Sequence, residues 1–410
     1  MNADTPLRHS AFRWLLAGAS VNSLGNGIAP VALAFAVLDL GGSATDLGIV
    51  VGLYALTDVV VALFGGVLGD RLPRTTVMRA SSVGQAIGQS VAAASLIGGW
   101  SSLPLLAVVG MAIGGLGSLG NPSASAITSQ TVPAALLAKA VAWRRLSQNA
   151  GVIVGSGLAG VLVASAGSGW ALAVDAFTFA FAAAAYSWIR VAPAPPPERT
   201  GMLAEVGDGF REVVRHTWLW VLLIQALLYH LFFGGAQSVL GPIVVGDAFG
   251  RPAWGWAISV LMLGFVVGGL VCLRWRPRHA LHVGTWFLGL TACFPLAMAL
   301  SDQLWVVLVG AFLHGFGLEI FSVGWDLSIQ ENVAPDKLSR VYSFDMVGSF
   351  IARPIGLALT GPVAGAVGFR PWLVVVGLVI VASTLAALTS SDVRRLERHG
   401  DPAPEDLIPA

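Results

Sequence analysis

Apolar stretches of membrane-crossing length follow one another along almost the whole of this chain. A helix rises 1.5 Å per residue, so about 20 apolar residues span a hydrocarbon core of roughly 30 Å. Twelve stretches reach that length: 12–38, 47–69, 77–97, 102–120, 146–166, 170–190, 217–244, 254–273, 281–300, 304–325, 343–366 and 371–389. Only 11% of the residues are charged while 56% are hydrophobic. Soluble chains carry about 25% charged residues, so most of this surface faces lipid. The expected class is an all-α membrane protein with twelve transmembrane helices. The opening MNADTPLRHSAFRW carries basic residues, but the run behind it is too long for a signal-peptide core and is read as a retained first helix.

Lysine and arginine mark the two faces. Arg8, Arg13, Arg71, Arg74, Arg79, Lys139, Arg144, Arg145, Arg190, Arg199, Arg211, Arg215, Arg274, Arg276, Arg278, Lys337, Arg340, Arg394, Arg395 and Arg398 fall before span 1 or after even-numbered spans. The opposite loops hold Arg251 and Arg370, and Arg353 falls inside a span. Short loops rich in Lys and Arg stay in the cytoplasm, so both termini are expected there, in a multi-pass protein of the inner (cytoplasmic) membrane.

The longest connection on the basic side runs from Val191 to about His216, giving an N-terminal bundle (1–190), a linker (191–216), a C-terminal bundle (217–390) and a tail (391–410). The linker opens with the extended spacer APAPPP. Met202, Leu203, Val206, Phe210, Val213 and Val214 then recur at helical spacing, as in an amphipathic helix lying on the inner leaflet. Val132, Leu137, Gly155, Leu158 and Gly160 recur as Val333, Leu338, Gly356, Leu359 and Gly361, and Gly65, Gly66 and Arg71 as Gly268, Gly269 and Arg274. Such duplication is how many secondary transporters are built, with substrate near the midplane between the repeats.

After span 2 the chain reads Gly66, Val67, Leu68, Gly69, Asp70, Arg71, Leu72, Pro73, Arg74. With twelve spans around it, this resembles the loop motif G-x-L-x-D-R-x-G-R of the major facilitator superfamily. The likeness is to its drug:proton antiporter branch, which includes macrolide-efflux proteins and the enterobactin exporter. Gly151, Gly155 and Gly160 in span 5 resemble the branch's export motif G-x-x-x-G-P-x-x-G-G, with Ser156 in place of its proline. Small residues that let helices pack closely are the other reading of those glycines. Span 4 lacks the arginine of the R-x-x-Q-G motif, and Asn26 stands where relatives often carry Asp. The resemblance implies that Asp70 docks on the start of span 11, near Ser339 to Ser343, and latches the halves on the inner side. A helix N-terminus attracts an anion in this way. The alternative is a loop whose charges only set topology.

Ionisable groups inside spans are costly and point to function. Asp58 lies about 11 residues into span 2 and Arg353 about 10 into span 11, each roughly 15 to 17 Å deep. The family's fold brings these spans together, so a pair that forms and breaks during transport, a static pair, or no contact are the alternatives. Glu319 in span 10 is the other candidate for proton coupling, and Asp175 is read as a structural charge, shallow on a peripheral helix. His230 and His314 are either proton relays or simply hydrogen-bonded. Asn22 and Asn26 share one helix face. With Asn149, Gln225, Gln237 and His230 they are candidates for the few polar groups of a mostly apolar substrate cavity.

Neither lysine follows a glycine in a phosphate loop, and no H-E-x-x-H or G-x-S-x-G stretch occurs. Cys272 and Cys293 suggest no metal site. The expectation is a non-enzymatic, monomeric secondary transporter without cofactor, metal or nucleic-acid partner, exporting small amphipathic molecules in exchange for protons. An importer or facilitator, or a transport-inactive sensor, are the alternatives.

Overall fold

The computed structural model describes residues 5–69, 73–191, 211–275, 277–334, 337–338, 341–342, 344–345, 348 and 351–398. Twelve long helices are described, counting the two that run on through a π- or 3₁₀-helical turn as one each; α1 (Ser10–Asp39), α2 (Ala44–Gly69), α3 (Arg74–Ile97), α4 (Leu103–Ala126), α5 (Leu137–Ala166) and α6 (Ser168–Ser187) form one half. The other half holds α7 (Thr217–Gly235, continued through a π-helical turn at Ala236–Leu240 into Gly241–Phe249) and α8 (Arg251–Arg274). It is completed by α9 (Ala280–Leu288, continued through Gly289–Ala292 into Cys293–Leu300), α10 (Leu304–Asn332), α11 (Ala352–Val367) and α12 (Phe369–Thr389). No strand occurs among the described residues.

Ten of these helices are long and apolar enough to cross a membrane by themselves. The exceptions are α3 and α11. In α3, Ser81, Ser82, Gln85, Gln89 and Ser95 are all buried inside the protein, so the helix hides polar groups from lipid instead of presenting an apolar surface. Gln89 Nε2 donates to Asp175 at 2.7 Å and Ser81 donates to the Leu116 carbonyl, which satisfies what burial would otherwise penalise. In α11, the described helix is 16 residues long.

Packing repeats between the halves. Helices α1 and α5, α2 and α4, and α3 and α6 pair in the first; α7 and α11, α8 and α10, and α9 and α12 pair in the second. Across the interface α2 meets α11 while α5 meets α8, which are the same contact under a pseudo-twofold. The duplication seen in the residues is therefore a duplication of architecture.

The two faces differ in their connections. On the face away from the termini, here the far face, α5 and α6 are joined by Gly167, α7 and α8 by Gly250, and α11 and α12 by Gly368. These glycines adopt φ of 88°, 84° and 98°, a left-handed conformation that lets a helix stop and restart within one residue. The basic face carries the longer connections. Of the linker, residues 192–210 lie outside the described part, and 211–215 are helical. There Val213 is buried among Trp218, Leu222, Val341 and Val393 of the C-terminal half, while Val214 is exposed. Beside it, buried Glu212 accepts from Lys337 Nζ at 2.7 Å and pairs with Arg215 and His216, each at 3.4 Å. The Lys337 hydrogen bond holds the Glu212 carboxyl below its ordinary pKa.

Candidate functional site at the interface between the halves

The interface is closed by backbone approaching backbone. An ideal Cβ on Gly48 would lie 2.4 Å from the Leu357 carbonyl, and one on Gly361 2.4 Å from Thr45 Cα, so α2 and α11 touch where only glycine fits. Between α5 and α8, a Cβ on Gly255 would lie 2.4 Å from the Ser156 carbonyl and one on Gly160 2.6 Å from that of Arg251. Ser259 Oγ donates to the Ile153 carbonyl at 2.7 Å across the same seam. All these contacts lie toward the far face. The three glycines of the span 5 motif thus divide their work: Gly151 and Gly155 admit α1, whose Ser20 and Leu24 carbonyls would lie 2.9 and 2.1 Å from their Cβ atoms, while Gly160 faces the other half.

A clasp lies over this seam. Asp39 ends α1 and Arg251 begins α8, and the guanidinium forks onto both carboxylate oxygens, with one bond at 3.1 Å. Ser168 Oγ donates to the same carboxylate at 2.7 Å, and the Arg251 guanidinium lies 5.2 Å from the Phe35 ring centre. The residues alone gave half of this signal: Arg251 stands out as a cation in a cation-poor set of loops, and Asp39 at the end of span 1 is its complement.

Deeper in, Asp58 lies fourteen residues from the far end of α2 and Arg353 fourteen from the far end of α11, so both are about 21 Å from that face. Matching depth does not bring them into an ion pair here. Asp58 instead accepts from Ser118 Oγ of α4, which also donates to the Asp58 carbonyl at 2.7 Å. Arg353 lies along α7, where a Cβ on Gly234 would stand 3.2 Å from its Cγ. Among the described residues, no hydrogen bond or ion pair holds its guanidinium.

The remaining candidates divide clearly. Asp175 is 1% exposed and sits at the eighth position of the twenty-residue α6, so it is deep and sealed, not shallow. It accepts from Gln89 and, at 3.3 Å, from Thr178, and Gly25 of α1 leaves room for it. Glu319 packs its Cβ and Oε1 against Gly268 and Gly269 of α8. His314 is fully buried with both nitrogens occupied: Nδ1 donates to the Thr291 carbonyl and Nε2 accepts from Tyr229, each at 2.8 Å. That fixes one neutral tautomer in the C-terminal half. His230 Nδ1 donates to the Ala226 carbonyl at 2.8 Å.

Asn26 is exposed, and Asn22, Asn149 and Gln237 are half-buried. The Asn22 Oδ1 and the Gln225 Nε2 are buried without a hydrogen-bond partner. Buried amide groups left open in this way are suited to a ligand or to a partner in another conformation. In the loop motif, Gly66 and Leu68 fall in the last turn of α2 and Arg74 begins α3. Asp70 and Arg71, with Ser339, Arg340 and Ser343 opposite, lie outside the described residues.

Two matched six-helix units, seamed at one face and carrying charged side chains at the middle of the seam, define a membrane carrier of the alternating-access kind. Residues 15–245 and 222–409 match the model of the Major Facilitator Superfamily, and the chain belongs to that superfamily. It is 27% identical over 416 residues to the multidrug efflux pump Tap of Mycolicibacterium fortuitum, covering 97% of this chain and 98% of that protein. Identity to macrolide efflux protein A of Streptococcus pyogenes is 22% over 399 residues, covering 94% and 97%. Among solved structures, a mutant of the nucleoside transporter NupG superposes with a TM-score of 0.76 at 13% identity, covering 92% and 99%. A bacterial homologue of the human lysosomal transporter Spinster, in an inward-facing and unoccupied conformation, superposes with a TM-score of 0.69 at 17% identity, covering 98% and 100%. The protein is a transporter of the membrane and not an enzyme.

Proposed function

We propose that this transporter exports small amphipathic molecules in exchange for protons, with its basic face and both termini in the cytoplasm of the cell. Twenty of its cations lie on that face, which supports the orientation. The far face then looks outward, and the closed seam and clasp support an inward-facing reading of this state. The likeness over nearly the full chain to efflux pumps supports the direction.

The observation that carries the coupling is the placement of Asp58 and Arg353 at equal depth on helices that pack across the interface. With Asp58 engaged by Ser118, the pair is open. Closing the inner side would carry α11 along α2 and let the two meet; protonating Asp58 would release them. Glu319 is a second proton carrier in this scheme. On the inner side Asp70, with Arg71 and Arg74 beside it, latches onto the start of the α11 segment in the opposite state. A helix terminus and an anion contribute about 0.3 to 2 kcal/mol, enough to bias the equilibrium without locking it. Asn22, Asn26, Asn149 and Gln237 supply polar contacts to the substrate, and a monomer is the working unit.

The test is accumulation of varied lipophilic compounds in an efflux-deficient host, followed by proteoliposome transport under an imposed pH gradient. Wild type moves substrate against its gradient when protons run the other way. Asp58→Asn loses at least about tenfold of gradient-driven transport yet keeps downhill exchange. Undiminished coupled transport in Asp58→Asn removes that carboxylate from the mechanism, and inward movement under the same gradient makes the protein an importer.

A further inference from the structure

An arginine at mid-membrane needs an anion. Its guanidinium carries five donors and no acceptor, and it stays charged under all biological conditions. An uncompensated charge at this depth is among the most expensive features a membrane protein can retain. Arg353 is such a group: half-buried, about 21 Å from the far face, and held by no counter-ion among the described residues.

Three of the carboxylates described within the membrane helices have other neighbours. Asp58 takes its hydrogen bond from Ser118. Asp175 is sealed between Gln89 and Thr178. Glu319 lies against Gly268 and Gly269 on α8. None forms an ion pair with Arg353 within 4.0 Å. The side chain nevertheless has a built berth. Gly234 of α7 clears the path of its aliphatic stem, since an added Cβ there would stand 3.2 Å from the Arg353 Cγ. A cation beside α7, on a helix that packs across the interface onto α2, matches a ligand with one negative head and an apolar body.

We propose that Arg353 is a substrate-binding residue and that the molecules this protein carries include amphipathic carboxylic acids, whose carboxylate takes the guanidinium fork in the inward-facing state. The proposal names a substrate class for the site described above and rests on the antiport reading only for the steps after binding. In the transport cycle Asp58 and the bound carboxylate compete for one guanidinium. Release of the acid on the outer side frees Arg353 for Asp58, and protonation of Asp58 frees it again for the next acid.

Equilibrium binding to the full-length protein in nanodiscs tests this, with empty nanodiscs subtracted. The probes are 2-naphthoate, its neutral amide and the cation 2-naphthylmethylammonium. Charge-assisted hydrogen bonds are roughly twice as strong as neutral ones, so wild type binds the acid at least about tenfold more tightly than the amide or the cation. Arg353→Gln removes that preference and leaves amide binding within about twofold, whereas Arg353→Lys retains a reduced preference and serves if the glutamine variant fails to fold. Asp58→Asn, which removes the competitor, leaves acid binding equal or tighter. Wild type that binds acid and amide alike overturns the proposal, as does an Arg353→Gln protein that keeps the preference. A protein that passes but moves no solute under any pH gradient sinks the antiport reading and leaves the acid site standing.

Discussion

Among the described residues, two arginine–aspartate pairs lie on the far face, and one of them joins the halves. Arg251 and Asp39 link α8 to α1 across the seam. Arg370 and Asp302 link the start of α12 to the turn before α10, inside a single half. The chemistry is the same and the consequence is not: a contact within a rigid half is present in every conformation, whereas a contact between halves exists only while that face is shut. Position relative to the seam, not strength, decides which interaction can govern a transport cycle. The same distinction separates the close-packed glycines, since Gly255 meets Ser156 of the other half while Gly315 meets Leu261 of its own.

The largest effect is expected at those two glycines. A methyl group on Gly255 would stand 2.4 Å from the Ser156 carbonyl, and overpacking of this kind costs typically 1–3 kcal/mol. Gly255→Ala should therefore wedge the far face open, raising labelling of a mid-seam cysteine from that side by about tenfold or more. Gly315→Ala, whose added atom would lie 1.9 Å from the Leu261 carbonyl, should lower thermal stability without changing the ratio of labelling from the two sides. If both variants changed only stability, the seam would not be a moving surface.

The clasp comes next. Its side chains are 38% and 33% exposed, and exposed pairs contribute about 0.2–1 kcal/mol, so Arg251→Ala should shift the same labelling ratio by about two- to fivefold. Exchanging the charges as Asp39→Arg with Arg251→Asp should recover part of it. Arg370→Ala, with partners 51% and 77% exposed and both in one half, should leave the ratio unchanged.

The smallest effect belongs to the basic face, where the Glu212–Lys337 contact ties the end of the linker to the C-terminal half and does not cross the seam. Glu212→Gln should raise hydrogen exchange of 211–215 by a few-fold and leave labelling at the seam alone. Because the folded-state pKa of Glu212 is lowered, the contact is fully present above the ordinary carboxylate range and is lost only as pH falls through the lowered value. Detachment between pH 5 and 7 would show that Lys337 does not hold it.

The membrane class, the halves and the equal depth of Asp58 and Arg353 were legible because length, charge bias and helical rise act along one chain. The work of spatial neighbours was not. The hydropathy of α3 hides why it is a core helix, since its glutamines and serines are polar toward protein. Asp175 reads as shallow until Gln89 of α3 is seen beside it. Ser118, among glycines of span 4, gives no sign that it engages Asp58, and the clasp needs two helix ends that the chain separates by over two hundred residues. His314 follows the plainer reading of a hydrogen-bonded core histidine, with Tyr229 and Thr291 as partners.

If a proton at the middle of the seam tips the carrier, closure of one face must be opening of the other. Paired spin labels read this out, after Cys272 and Cys293 are replaced by serine, with one pair at Leu40 and Asp247 on the far face and one at Arg79 and Leu273 on the basic face. As pH is stepped in proteoliposomes, one distance distribution should lengthen while the other shortens, and Asp58→Asn should weaken both responses to pH. Distances that stay fixed, or that lengthen together, would contradict a rocking, proton-tipped carrier.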